Sequence, residues 1–336
     1  MISGIEIRNV GGLATFSKKF ASPCVCVLEG RGKTSLFSAL SALQRIARGV
    51  TQVGQLFPPL QYIPSPPIPQ VVIAVELVAF GRTFSYGIEV AYDPAQNAFL
   101  LMRETLVESS AGAIVYRLDR NATNFTETRY GRTSAPFAAL FGTFLLATSN
   151  GLPADHPICL VRNELANQFL LSPLPVAMTG LIGQPTVLSP DCANFASWLV
   201  HFLGRQSDYY AAYVETLFRM GLGQVVLNAQ TGTGGARTLM VKFGYHAVPL
   251  VFSALSRCEK LICLAAAVST FNRMIPGTVC VWDDFLDLPV SNGKASIIRE
   301  MTGALQRTGQ FIAFGNWNDL VQCAGVPLVI SRETIP

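Results

Sequence analysis

The chain has 336 residues, enough for one or two domains with a sizeable core, and half of it is apolar while 14% is charged. With 25 basic against 21 acidic side chains, the net charge of +4 is too mild to mark a nucleic-acid surface by itself, and no apolar run reaches the ~18 residues a membrane helix needs. Eight cysteines lack a C-x-x-C pair and the three histidines (His156, His201, His246) have no ligand spacing to them, which argues against a zinc site and reads as reduced core thiols in a cytoplasmic protein. Residues 1–8 alternate like a strand rather than forming a signal peptide, and the sequons at Asn121 and Asn124 therefore read as chance.

Residues 2–9 and 22–28 read as strands around a Gly11-Gly12 turn. The second strand runs into Glu29-Gly30-Arg31-Gly32-Lys33-Thr34-Ser35, and a helix follows to about Arg48 with Leu36, Leu40, Leu43 and Ile46 on one face. A strand, a Gly-rich loop, Lys-Thr and a helix form the layout of a phosphate-binding loop. Backbone N–H groups must converge on phosphate oxygens there, and residues without Cβ let the chain approach closely. Lys33 would then neutralise the β/γ-phosphates and the Thr34 hydroxyl would ligate Mg²⁺. The pattern G-x-x-x-x-G-K-[ST] fails at its first position, where Val27 stands, so an ordinary strand-turn-helix remains the alternative.

Six prolines in residues 57–69 make a stiff, irregular connection, either a spacer or a partner-binding segment. Alternation over 71–79, 83–92, 99–107 and 113–119, with turns at Gly81-Arg82 and Asp93-Pro94, predicts an antiparallel meander that needs a core to lie on, which the loop's helix can supply. Glu104 follows Arg103 and reads as a solvated or ion-paired strand residue outside any site. From 134 to 219 the pattern is helical, clearest at 137–148, 194–203 and 208–220, with a short helix at 163–166. Strands at 224–228 and 237–243 flank a turn at 232–235.

A helix at 253–269 precedes a buried strand, 277–284, that ends in Asp283-Asp284; a helix at 294–308 and a strand at 311–317 complete the chain. An apolar strand followed by Asp can hold the Mg²⁺ shell opposite the phosphates, with the next acidic residue placed to polarise water. The alternative for this pair is a strand-end turn or helix cap. Trp282 and Trp317 read as core, and Arg8, Lys18, Lys19 and Arg48 as a solvated face.

Across most of the chain this order resembles the ABC-type AAA ATPases related to RecF and to the structural-maintenance-of-chromosomes (SMC) heads. It is most similar to the small AAA proteins of the overcoming-lysogenization-defect and abortive-infection kind, many of them anti-phage defence components. Ile5-Glu6-Ile7-Arg8-Asn9-Val10-Gly11-Gly12 looks like their I-x-I-x-N-x-x-G opening, residues 27–34 match their phosphate loop, and Glu104-Thr105-Leu106 matches an element of their meander. The resemblance implies an α/β P-loop NTPase, an ABC-ATPase head with an antiparallel β subdomain and a helical insertion. Its parts would be an N-terminal ATPase lobe (1–133), the insertion (134–222) and a C-terminal ATPase lobe (223–336).

ATP and Mg²⁺ would be the cofactors, held by Glu29, Gly30, Arg31, Gly32, Lys33, Thr34 and Ser35, with Thr34 and Asp283 in the metal shell. The signature that acts on a neighbouring subunit's nucleotide matches residues 254–261, including Ser256 and Arg257, for which a plain amphipathic helix is the alternative. Here Arg257 stands where the family has Gly, Asp284 where it has the water-polarising Glu, and Asn316 where it has the switch His, although Asn316 alone would be an unremarkable surface residue. Asp284 and Asn316 would thus be weakened catalytic positions, implying nucleotide binding with slow or absent hydrolysis. The family's composite site implies a homodimer or larger homo-oligomer in which ATP scaffolds or switches a partner effector or DNA. Two alternatives are a nucleotide-independent assembly protein on an ATPase scaffold and a RecF-like DNA-repair ATPase; the mild charge and the lack of heptad runs weigh against the latter.

Overall fold

A computed structural model describes residues 1–20, 24–58, 70–120, 143–148, 151–184, 187–231, 235–284, 293–314 and 330–335. The chain divides into two compact units. One comprises Met1–Ser22, Gly30–Gln168 and Ile335–Pro336, and the other Pro23–Glu29 and Phe169–Thr334.

In the first unit, β1 (Ile2–Val10), β2 (Leu13–Lys19), β4 (Gln70–Ala79), β5 (Arg82–Asp93), β6 (Ala98–Glu108) and β7 (Ala113–Asp119) form an antiparallel sheet in the order β2-β1-β4-β5-β6-β7. The sequence pattern foresaw the meander but missed β2, whose single large apolar residues Leu13 and Phe16 are spaced by three. Alternate residues such as Ile73, Val75 and Leu77 or Phe84, Tyr86 and Ile88 face inward and are buried. Helix α1 (Lys33–Ala47) lies against β1, and beyond the short α2 (Val53–Leu56) and α3 (Leu145–Thr148) it meets α4 (Pro157–Ala166). Arg48, expected on a solvated face, is half-buried and donates from Nε to the Ala166 carbonyl; burial lowers its pKa to about 10. Of the helix expected at 137–148, only 143–148 falls within the described residues.

Glu104 corrects a sequence expectation. Phe99 and Leu101 point inward, so strict alternation would send Glu104 to solvent. A bulge intervenes: Glu89 pairs with Arg103 but Val90 with Leu101, leaving Met102 extra. The bulge reverses the faces, and Glu104 becomes fully buried with Leu106 beside it. Its Oε1 accepts from the hydroxyls of Tyr86 (3.0 Å) and Tyr116 (2.9 Å) and from Leu146 N (3.0 Å), and its Oε2 accepts from Leu145 N (2.6 Å).

In the second unit, β3 (Cys24–Gly30), β8 (Phe169–Leu171), β13 (Val279–Trp282), β14 (Gln310–Phe314) and β15 (Ile330–Ile335) form a sheet in the order β15-β3-β14-β13-β8. The pairs β3–β14, β14–β13 and β13–β8 are parallel. A smaller sheet joins β10 (Val225–Thr231), β11 (Arg237–Phe243), β12 (Leu250–Val251) and β9 (Leu181–Ile182). Strands β8 and β9 lie in the stretch read as helical; each has three residues or fewer, too short for a periodic signal. Helices α5 (Phe195–Leu203), α6 (Ser207–Leu217), α7 (Arg257–Met274) and α8 (Gly293–Thr308) complete the unit. Residues 260–270 of α7 are buried without a break, so it is a core helix rather than an amphipathic one. Phe169, Trp198 and Phe202 cluster around its Phe271, Phe169 meeting Phe271 edge-on at 4.9 Å and Trp198 stacking on Phe202 at 5.4 Å. No described helix is long and apolar enough to cross a membrane.

Candidate functional site

The residues expected to carry chemistry fall in three groups. The first is the loop between β3 and α1. The backbone of Gly30 has φ +118, a conformation that disfavours any side chain, and Arg31 and Gly32 turn the chain into α1. Gly32 is the N-cap, so no side chain caps the helix, and its first turn holds no acidic residue. Lys33 opens the helix half-buried, Thr34 is exposed and Ser35 half-buried. An uncapped helix start with a cation and no carboxylate suits an anion, because the helix dipole and the first-turn N–H groups favour negative charge there.

The glycines also leave room for neighbours. A Cβ on Gly30 would collide with the carbonyl oxygen of Ile335, and one on Gly32 would lie 2.5 Å from Ile335 Cγ2 and 2.8 Å from Leu13 Cδ1. A Cβ on Gly11, in the β1–β2 turn, would come within 2.8 Å of Ser35 Oγ. The segment of Ile335 and the β1–β2 hairpin therefore pack closely on the loop and the helix it starts.

The second group sits on the carboxyl edge of the parallel sheet. All four residues of β13 are buried, and Asp283 extends its pairing with β8 by donating from N to the Leu171 carbonyl at 2.7 Å. Trp282 pairs with Ala313, and Ala313 with Val27. Asp283 is therefore level with Phe314 on β14 and Leu28 on β3. Two strand spacings, about 10 Å, separate the carboxylate strand from the strand that feeds the loop. The carboxyl edge of a parallel sheet is where α/β proteins bind ligands. Ser172 Oγ donates to Asp283 Oδ2 at 3.5 Å, while Asp284 is exposed with φ +52, an uncommon backbone state that Asp tolerates. Glu29 emerges half-buried on the same edge.

The third group is the start of α7. Ser256 and Arg257 are both exposed there. Ser256 is the N-cap of a complete capping box: its hydroxyl accepts from Glu259 N at 3.3 Å, and Glu259 Oε2 accepts from Ser256 N at 2.7 Å. The other oxygen, Oε1, accepts from the Tyr245 hydroxyl at 2.7 Å and lies 2.9 Å from His246 Nε2. Burial alone would raise the Glu259 pKa, but these bonds and His246 outweigh it and hold the carboxyl below its ordinary range. The spacing S-x-x-E is a capping signal that the reading of the sequence did not use.

Asn316 and Trp317 lie outside the described residues. Sequence reasoning missed Ile335, Leu13 and Ser172, none of which carries a local signal. Among the described residues no cluster of three His, Cys, Asp or Glu side chains is placed to hold a metal, and Cys159, Cys192, Cys258, Cys263 and Cys280 are in no disulfide.

A Gly-loop strand and an acid-ended strand in one parallel sheet, with a separate antiparallel sheet, make this a mixed α/β fold. Solved structures of similar shape include SMC heads. An SMC head bound to the C-winged-helix domain of ScpA has a TM-score of 0.51 at 9% identity, covering 96% of this chain and 92% of that one. An SMC head with an extended coiled coil, bound to the C-terminal domain of ScpA from Pyrococcus furiosus, has 0.50 at 8%, covering 96% and 91%. These likenesses span nearly the whole chain and show the fold, that of an SMC head domain. No protein-family model and no curated protein matches the chain.

Proposed function

We propose that the chain is an ATP-binding ABC-type head in which ATP with Mg²⁺ drives assembly with a second copy, and that the assembled state scaffolds or switches a partner. The observation that carries this reading is Lys33 at an uncapped, acid-free helix start, led into by the turn of Gly30, Arg31 and Gly32. Gly30–Ser35 would cradle the phosphates. The donor set suits a hard cation: Thr34 offers an exposed hydroxyl and Asp283 a half-buried carboxylate, and the ion would neutralise phosphate charge.

Slow or absent hydrolysis is part of the proposal. Asp284 is one methylene shorter than Glu, which retracts a base from its water, and Asn316 cannot carry a proton. Arg257 at the helix start either reaches phosphate or crowds a neighbour's nucleotide. The SMC heads of similar shape were solved with ScpA domains bound, which supports looking for a protein partner. Anti-phage defence is one setting that the sequence resemblance suggests. One observation favours a second reading, a nucleotide-independent assembly protein: Ile335 fills the room that Gly30 and Gly32 leave.

Equilibrium binding and turnover of Mg-ATP by the wild type, Lys33→Ala and Asp284→Glu test the proposal. Binding by the wild type, its loss in Lys33→Ala, and turnover gained in Asp284→Glu are expected. Binding by none of the three would overturn it in favour of the second reading.

A further inference from the structure

We propose that Ile335 is a stopper on the phosphate loop, so that nucleotide and the end of β15 compete for the same glycines. The inference rests on the ATP-binding reading. A phosphate cradle depends on the space that missing Cβ atoms leave beside the backbone. That space is filled here from one residue: the Ile335 carbonyl oxygen lies against Gly30 and its Cγ2 against Gly32, with Leu13 of the β1–β2 hairpin completing the contact. Ile335 is 1% exposed, so its side chain is seated rather than fraying.

Chemistry sharpens the conflict. A carbonyl oxygen carries partial negative charge, and one placed on the loop repels the phosphate oxygens that the loop's N–H groups and Lys33 would attract. The strand behind it is anchored, because β15 pairs with β3, the strand that feeds the loop. Displacement of Ile335, the last residue of β15, thus needs no dismantling of the sheet. A bound phosphate would expel Ile335, and a seated Ile335 would hold the loop in a state of low phosphate affinity. Linkage makes the two effects reciprocal: whatever pulls the end of β15 away from Gly30 raises nucleotide affinity, and nucleotide frees the end of β15.

The test compares Mg-ATP affinity of the full chain, of a variant ending at Thr334, and of Ile335→Ala, with thermal melts to confirm folding. If the stopper is seated in about nine of ten free molecules, the variant ending at Thr334 binds about tenfold more tightly than the wild type. Ile335→Ala, which keeps the carbonyl but loses Cγ2, falls between them. In the wild type, ATP should also speed amide exchange at residues 334 and 335. Equal affinities in all three proteins, or weaker binding by the shortened one, overturn the stopper while leaving the ATP-binding reading intact. No binding by any of them overturns both.

Discussion

Glu104→Gln is the substitution that most directly tests how the first unit is held together. The carboxylate accepts four hydrogen bonds in a site with no exposure, two from tyrosine hydroxyls and two from the backbone of Leu145 and Leu146 at the start of α3. A glutamine can keep its oxygen toward Tyr86, Tyr116 and Leu146, but its NH₂ then faces the N–H of Leu145, donor against donor at 2.6 Å. One buried backbone donor left without an acceptor costs about 1–3 kcal/mol, and Glu104→Ala, which strands both backbone N–H groups, about twice that. Urea unfolding measures the loss, and faster amide exchange at Leu145 and Leu146 locates it.

The pH dependence of the same residue has a definite sign. Burial raises the Glu104 pKa above its ordinary 4.5, with the four hydrogen bonds opposing. The folded state then binds this proton more tightly than the unfolded chain does. Its contribution to stability is full below pH 4.5, declines as pH rises toward the folded value, and is flat beyond it. Glu104→Gln should abolish that slope. A variant that unfolds with the wild type and shows unchanged exchange at 145–146 would refute the assigned network.

Phe80→Asn should stabilise the protein by about 0.5–1 kcal/mol, read as a higher urea midpoint. Phe80 and Gly81 form the β4–β5 turn with φ +50 and +74, a geometry made for Asn-Gly, and the phenyl ring is 86% exposed with little packing to lose. A lower midpoint would mean that Phe80 makes contacts worth more than its strain. Ser256→Ala should cost about 1 kcal/mol through loss of the α7 cap, whereas Ser256→Asn should keep it. ATP-driven assembly lost in both variants would point to contact with a second copy's nucleotide; loss in Ser256→Ala alone would point to the cap. Because the Glu259 pKa is depressed, its part of the cap is present above pH 4.5 and lost as pH falls through the folded value, visible as faster exchange at 256–259 in acid.

Regular alternation made β4 to β7 legible, and the run of apolar residues before Asp283 made β13 legible, because both signals are local. What the sequence did not disclose depends on one-residue shifts or on distant partners. The bulge at Met102 inverted Glu104 from a surface residue into the most heavily bonded buried acid described here, and no composition rule announces a bulge. Strand β8 has three residues, so only its pairing with β13 identifies it. Of the candidate site, the sequence showed the loop and the acid pair only as types of residue in order. That Asp283 stands level with Leu28, two strands from β3, follows from pairing register alone.

The loop glycines show why a motif and its chemistry can part company. Gly30 and Gly32 satisfy the requirement for a backbone that something may approach closely, and the sequence supplies phosphate as the obvious visitor. In the fold the visitor is Ile335. Both explanations demand glycine at the same positions, so a substitution such as Gly32→Ala that abolished nucleotide binding could not separate them. Removal of the visitor can, since it leaves the glycines in place: tighter binding means that the loop serves two occupants in turn, and unaltered absence of binding means that it serves the chain's own packing alone.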